Sequence, residues 1–267
     1  MGQPYMLDAT MEHTFDRATD QASGLRQLFN TQMLGVLPVC GSWQLVELLA
    51  RALAIQSRVA VLDEQGTAVM NAFHKSAEYE LADLLSGYRE FQEVAVRVND
   101  RLSLLSAQTG LQKFLQYASE NQLSGESLFS GFMSLSKPFR WLLINSIQLR
   151  SAAELVRGQG EVLLVIPDTP EGIKQAYSQI KEAALDLPDM QLRIAIQSES
   201  ESQAQKVFRR LAETSERFLR VRPQLALRLP FEWQVSTGMA EKWRVAMSAW
   251  KLAEYVQTEQ RTDQDRT

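Results

Sequence analysis

Short apolar runs alternate along this chain with longer stretches in which apolar residues recur every three or four positions. The runs are typical of strands buried on both faces, and the recurring pattern is typical of amphipathic helices. The first such unit comprises an apolar strand at 36–39, a turn of Cys40, Gly41 and Ser42, a helix at 43–56, and a strand at 58–62 that Asp63 follows. This order predicts a βαβ unit that opens a parallel sheet.

The rest of the chain repeats the same alternation. Further strands are predicted at 101–106, 140–145, 161–166, 190–196 and 224–229. Helices are predicted at 78–87, 89–98, 124–135, 148–157, 170–185, 200–219 and 238–257, with one more that begins near residue 110. Such an alternation predicts an α/β fold of three layers, in which helices cover both faces of a mostly parallel, twisted sheet of about seven strands.

One further amphipathic helix is predicted ahead of the first strand, over 15–30. Its apolar stripe consists of Phe15, Ala18, Ala22, Leu25, Leu28 and Phe29. A sheet does not need a helix at this place, so the helix either packs on its own body or binds a partner, and the pattern leaves both open. We therefore divide the chain into a flexible N-terminus carrying this helix (1–30), an α/β domain (31–257) and a disordered polar tail (258–267).

Composition narrows the function without assigning one. The net charge of −4 offers no basic footprint for non-specific nucleic-acid binding. A single cysteine, Cys40, excludes an intrachain disulfide and fits a reducing compartment. The sequence shows neither a secretory signal pattern nor an apolar run of the roughly 18 residues that a spanning helix needs. We expect a cytoplasmic protein that makes no direct contact with nucleic acid.

Patterns of catalytic or metal-binding residues are weak. His13 and His74 have no ligand-type partner at helical spacing, and we interpret both as surface residues. Cys40 ends a buried strand with no base beside it, which favours a core residue over a nucleophile. The helix at 238–257 has a Met- and Trp-rich face beside basic residues, a pattern that suits a membrane interface or the last core helix. We favour the core.

Residues 20–29 read DQASGLRQLF. Asp20, Gln21, Ala22, Leu25 and Arg26 match the DQAxxLR activator motif of the FlhG (FleN) family, MinD/ParA-like proteins that regulate flagellar number and placement. Later segments resemble the family in the same order, among them VAVLDE (59–64), FRWLLINS (139–146) and VIPDTPEGIKQAYSQIK (165–181). The resemblance covers roughly residues 16–256 and implies a MinD/ParA-like fold.

The departures from the family pattern fall on its nucleotide site. The family's deviant Walker A loop, KGGVGKT, is shortened here by about five residues, and Ser42 and Trp43 stand where the family has its phosphate-binding lysine and its magnesium-binding threonine. Asp63 matches the first aspartate of the family's DxD, but Gln65 replaces the second. The resemblance therefore implies a degenerate nucleotide site consisting of Cys40, Gly41, Ser42, Trp43, Asp63, Gln65, Asn145 (an aspartate in the family) and Gln197 (an adenine-reading asparagine). We expect a pseudo-ATPase without cofactor or metal.

The resemblance also implies a protein partner. In the family the DQAxxLR helix binds FlhF, a GTPase of the signal-recognition-particle type, and stimulates its GTP hydrolysis. By this likeness Gln21 would approach the phosphates, Leu25 and Leu28 would anchor the helix, and Arg26 would make polar contacts, with Asp20 and Phe29 on the same surface. Two alternatives remain: a nucleotide-independent regulator that binds a transcription activator or another protein through the sheet body, and a residual ATP-binding ATPase. We expect a monomer or a nucleotide-independent dimer, which its partner recruits to the cell pole or inner membrane with at most weak or indirect membrane contact.

Overall fold

A computed structural model describes residues 33–120, 125–133, 135, 138–231 and 253–256. The chain divides into two units, one of Met33–Tyr255 and the other of Met1–Gln32 together with Val256–Thr267. The predicted helix at 15–30, and with it the predicted partner-binding residues Asp20, Gln21, Leu25, Arg26, Leu28 and Phe29, lies outside the described residues. The same holds for His13 and for the predicted tail at 258–267.

The described strands form one sheet: β1 (Met33–Cys40), β2 (Val59–Asp63), β3 (Val96–Arg97), β4 (Leu102–Ser106), β5 (Trp141–Ser146), β6 (Glu161–Pro167), β7 (Gln191–Gln197), β8 (Gln224–Leu229) and β9 (Ala253–Val256). Their order is β3-β4-β2-β5-β1-β6-β7-β8, and β9 also pairs with β1. All pairs along this order are parallel except β3 with β4. The mostly parallel sheet is confirmed, and each of the seven predicted strands is present.

The described helices are α1 (Trp43–Ala54), α2 (Ala68–Ala72), α3 (Leu81–Leu85), α4 (Phe91–Val94), α5 (Gly110–Glu120), α6 (Gly125–Met133), α7 (Leu149–Leu155), α8 (Pro170–Asp186) and α9 (Glu201–Leu219). Side-chain caps set the start of the long ones. Thr169 caps α8 by accepting a hydrogen bond from the Gly172 N–H at 3.2 Å, and Ser200 caps α9 through the Gln203 N–H at 3.4 Å. Each cap satisfies a backbone donor that the first turn leaves without a partner.

Two apolar clusters cover the two faces of the sheet. On one face, Leu45, Leu48 and Leu49 of α1 pack with Val69 and Met70 of α2 against the strands. On the other face, α5 to α9 contribute the second cluster, whose buried side chains include Leu111, Phe129, Leu155, Ile180 and Leu211. Helices on both faces of a parallel sheet bury its strands on both sides, which confirms the predicted three-layer α/β architecture.

Two predicted helices are corrected by strand pairing. The helix predicted at 89–98 is a single turn, Phe91–Val94, after which Val96–Arg97 pairs antiparallel with β4. A capping box between Glu90 and Glu93 starts the turn, and the β-branched residues that follow suit an edge strand better than a helix. Within the helix predicted at 238–257, residues Ala253–Val256 form β9 instead, and 238–252 lie outside the described residues.

One ion pair joins two central strands near their amino ends. Arg193 of β7 donates from Nη2 to Oε1 of Glu161 in β6 at 3.1 Å, and its Nε also bonds the same carboxylate. The two side chains are 13% and 6% exposed. Elsewhere β6 is apolar and buried through Ile166. A bidentate pair of this kind is well matched geometrically and largely shielded from water.

Candidate functional site

The carboxyl ends of the parallel strands meet at one edge of the sheet, and most of the residues proposed from the sequence lie there. Asp63 ends β2 directly beside Asn145 of β5, and Cys40 ends β1 beside Ser146. In open α/β sheets, ligands bind beyond this edge, where the strand order reverses. Gln197 also lies at this edge, but β6 separates its strand from β1. The structure therefore brings Cys40, Asp63 and Asn145 onto adjacent strands and leaves Gln197 apart from them.

Only Gly41 and Ser42 connect β1 to α1. Gly41 has a φ of +90°, and a Cβ at this position would lie 2.3 Å from the carbonyl oxygen of Val165 in β6. Ser42 is 3% exposed, and its hydroxyl accepts a hydrogen bond from the Leu45 N–H at 3.2 Å. The turn thus packs against the neighbouring backbone. The Ser42 hydroxyl also occupies the Leu45 N–H, a donor of the kind that binds anions at the start of a helix.

Trp43 is the first residue of α1. Its side chain is half-buried and packs against the apolar cluster beneath α1 and α2. An indole has one N–H donor and no oxygen, so it supplies neither a magnesium ligand nor a charge to balance a phosphate. At this position the side chain contributes to the core.

Asp63 is fully buried, and its carboxylate is bound by two donors. Oδ2 accepts from the Val69 N–H at 2.9 Å, which places the carboxylate at the start of α2. Oδ1 accepts from the Nδ2 of Asn145 at 2.7 Å. An aspartate in place of Asn145 would set two buried carboxylates against each other, an arrangement that calls for a cation or a shared proton. Because the amide of Asn145 donates a hydrogen bond to Asp63, the contact is attractive without a cation or a shared proton.

The residues after Asp63 are also held internally. Glu64 is 1% exposed, and its Oε2 accepts from the Ile147 N–H at 2.9 Å. Gln65 is half-buried within a turn that the Gly66 N–H closes on the Asp63 carbonyl at 3.1 Å. The sequence analysis did not assign Glu64 a contact, although a glutamate at the end of a buried strand signals that a donor must lie nearby.

Cys40 is fully buried, and burial together with the nearby charge of Glu64 raises the pKa of its thiol. The thiol therefore stays protonated at neutral pH, as the interpretation of a core residue predicts. His74 is exposed, also as predicted. Within the described ranges no group of three or more His, Cys, Asp and Glu side chains could hold a metal ion. Among the helices that the structure describes, none is long and apolar enough to cross a bilayer.

Comparisons with known proteins give one weak sequence similarity and a shared fold. The sequence matches no protein-family profile. It is 28% identical over 165 residues to the antiactivator FleN of Pseudomonas aeruginosa, an alignment that covers 61% of this chain and 58% of FleN. This chain therefore spans less than two thirds of that relative.

Solved structures give the fold. The MinD cell division protein of Aquifex aeolicus superposes with a TM-score of 0.53 at 16% identity, over 80% of this chain and 97% of MinD. Cobyrinic acid a,c-diamide synthase of Mycobacterium smegmatis, with bound ADP and magnesium, superposes with a TM-score of 0.55 at 16% identity, over 83% and 99%. The chain has a MinD-like fold.

Proposed function

We propose that this protein is a non-catalytic, FleN-like regulator that acts by binding other proteins. The observation that carries the proposal is the bonding of Asp63, whose carboxylate is occupied by the amide of Asn145 and the backbone of Val69. In phosphoryl transfer, catalysis rests on a phosphate cradle, a metal ion and a positioned nucleophile. Here the carboxylate that would position a metal or water serves instead to hold β2, β5 and α2 together.

The turn before α1 supports the same conclusion. A phosphate cradle needs several backbone N–H groups arranged around the anion, with a lysine to balance its charge. Gly41 and Ser42 provide too little backbone for this, and neither carries a positive charge. Isothermal titration of the full-length protein with ATP and magnesium tests the point. We expect no binding heat and no ATP-dependent dimer, whereas saturable heat or ATP turnover would instead support a residual ATPase.

The N-terminal segment is the proposed partner-binding element. We propose that the DQAxxLR helix binds an FlhF-type GTPase and stimulates its GTP hydrolysis, with Gln21 near the phosphates and Leu25 as an anchor. The test is GTP turnover of the GTPase with a peptide of residues 1–35, compared with the same peptide carrying Gln21→Ala and Leu25→Ala. A Gln27→Ala peptide is the matched control outside the motif. Loss of stimulation only in the double variant is expected, and equal stimulation by all three peptides would refute this role.

A second function is favoured by the similarity to FleN, whose name describes an antiactivator. The aligned 165 residues are many more than the 32 that precede β1, so the similarity extends into the sheet body. A body that resembles an antiactivator is a candidate surface for a transcription activator. A pull-down with protein lacking residues 1–30 separates the two functions, because retention of the activator there requires the body alone.

A further inference from the structure

A groove of about 810 Å³ lies between α8 and α9, and its lining includes Asp168, which follows the carboxyl end of β6. Its walls include the half-buried side chains of Ile173 and Tyr177 from α8. Its base is formed by Val207 and Leu211 of α9, which are 4% and 3% exposed and belong to the core. An apolar base between two helices offers a continuous surface against which another apolar element can pack.

Positive charge surrounds this apolar base. Lys174, Lys206, Arg209 and Arg210 all line the groove and are exposed, and Asp168 is the one acidic residue among the described residues that line it. None of the four cations forms an ion pair with a carboxylate in the part of the chain that the structure describes.

Acidic residues near the two ends of α9 do form ion pairs, with arginines that lie outside the helix. At the ends of the same helix, Glu201 pairs with Arg228 at 3.2 Å and Glu216 pairs with Arg222 at 2.7 Å. Lys206 and Arg210 are four residues apart, so they project from one face of α9. Two cations therefore lie one turn apart beside the apolar base, and among the described residues neither forms an ion pair.

We infer that this groove binds an acidic amphipathic helix of a partner protein. Apolar residues of such a helix, one turn apart, would cover Tyr177 and Ile173, while its carboxylates would reach the cations on both walls. The four cations would then gain the partners that they lack, which favours encounter and orientation as well as affinity. The apolar base favours this occupant over a nucleic acid, which binds mainly through phosphate contacts.

The described residues that line the groove all lie within Met33–Tyr255. If no acidic helix binds the groove, the proposed GTPase stimulation is unaffected. If the GTPase is not stimulated, binding at the groove can still be tested. The proposal specifies the chemistry of a partner for the sheet body.

The test uses full-length protein and a fluorescein-labelled peptide of about 18 residues, with leucines at helical i, i+4 spacing and glutamates between them. Binding is measured by fluorescence anisotropy at low salt. The first variant is Lys206→Glu with Arg210→Glu. The matched control is Lys75→Glu with Lys113→Glu, which makes the same charge change at exposed positions outside the groove. Circular dichroism of both variants verifies that the fold is retained.

We expect the groove variant to weaken peptide binding by about tenfold or more, because each reversed charge both removes an attraction and adds a repulsion. The control variant should bind within about twofold of the wild type, and a scrambled peptide of equal charge should bind more weakly than the helical one. Equal loss in both variants, or no binding of the helical peptide to the wild type, would overturn the proposal. So would tighter binding of a single-stranded oligonucleotide or of anionic vesicles that the groove variant abolishes.

Discussion

The contact between Asp63 and Asn145 makes a quantitative prediction. Asn145→Asp replaces a donor 2.7 Å from the Asp63 carboxylate with a second carboxylate at a fully buried position. The variant loses a hydrogen bond to a charged group, which contributes about 1.5–3 kcal/mol, and adds an uncompensated buried charge. Together we expect a loss of about 3–5 kcal/mol in the free energy of unfolding at neutral pH, a large share of the stability of an ordinary domain.

The effect should depend on pH in a defined direction. Burial and the charge of Asp63 raise the pKa of the introduced carboxyl in the folded state above its value in the unfolded chain. The folded state therefore holds a proton that the unfolded state releases, so stability is retained at low pH and lost as the pH rises through the folded-state pKa. The variant should differ least from the wild type near about pH 4 and most near about pH 8.

Urea unfolding followed by circular dichroism measures this directly. We expect the urea midpoint to fall by about 1–2 M at neutral pH. Asn71→Asp, the same chemical change at an exposed position of α2, is the matched control and should shift stability by less than about 0.5 kcal/mol. If Asn145→Asp and the control variant have the same urea midpoint at neutral pH, the contact between Asp63 and Asn145 does not hold the site together. If magnesium restores the stability of the variant, the edge can still hold a cation, and the argument against metal chemistry fails.

Three further predictions concern single residues. Gly41→Ala should lower the free energy of unfolding by about 3 kcal/mol or more, because the new Cβ meets the Val165 carbonyl and the backbone has a positive φ. Gly87→Ala is the control, since its φ is +74° but no atom lies within 4 Å of the new Cβ. Thermal unfolding should show a loss of only about 1 kcal/mol for this variant. Cys40 should resist an aromatic disulfide reagent in the folded protein and react fully in urea, because burial raises the pKa of its thiol; rapid reaction without urea would contradict this. The hydrogen bond from the Glu90 N–H, together with the charge of Arg89, lowers the pKa of the Glu93 carboxyl. The cap is therefore present at pH values above the ordinary glutamate pKa and is lost as the pH falls through the lowered pKa. If an NMR titration gave Glu93 an ordinary glutamate pKa, the capping box would be excluded.

The strands were predictable because their signal is local. Strands such as β2 and β6 are buried on both faces, so each appears in the sequence as an uninterrupted apolar run. Residues 89–98 were wrongly predicted to form one helix, because Phe91, Val94 and Val98 also fit a helical period. What decides their structure is pairing of Val96 with Leu104, a contact that periodicity does not report.

The family resemblance grouped Cys40, Asp63 and Asn145 in one site, and the structure places them at the ends of adjacent strands. The sequence did not indicate that the Asn145 amide binds the Asp63 carboxylate across 82 positions, or that Val69 donates to the same group. Such a contact depends on strand order and register, neither of which any single segment encodes.

The groove escaped prediction for a related reason. Its cations come from two helices separated by a strand, and in the sequence they are interspersed with acidic residues such as Glu171 and Glu213. Only the packing of α8 beside α9 assembles Lys174 with Lys206 and Arg210, and the described lining of the groove includes neither Glu171 nor Glu213. The charges along the sequence therefore do not indicate the local excess of positive charge at the groove.

The ion pair between Arg193 and Glu161 has a consequence for how the strands find their alignment. β6 carries apolar side chains on both faces and β7 mainly on one, and sliding one strand past the other by two residues would keep every side chain on its own face of the sheet. The same slide would separate a guanidinium from its carboxylate in a region with little water, which is strongly unfavourable. One charged pair thereby distinguishes the native alignment from its nearest competitor in a region where hydrophobicity alone does not.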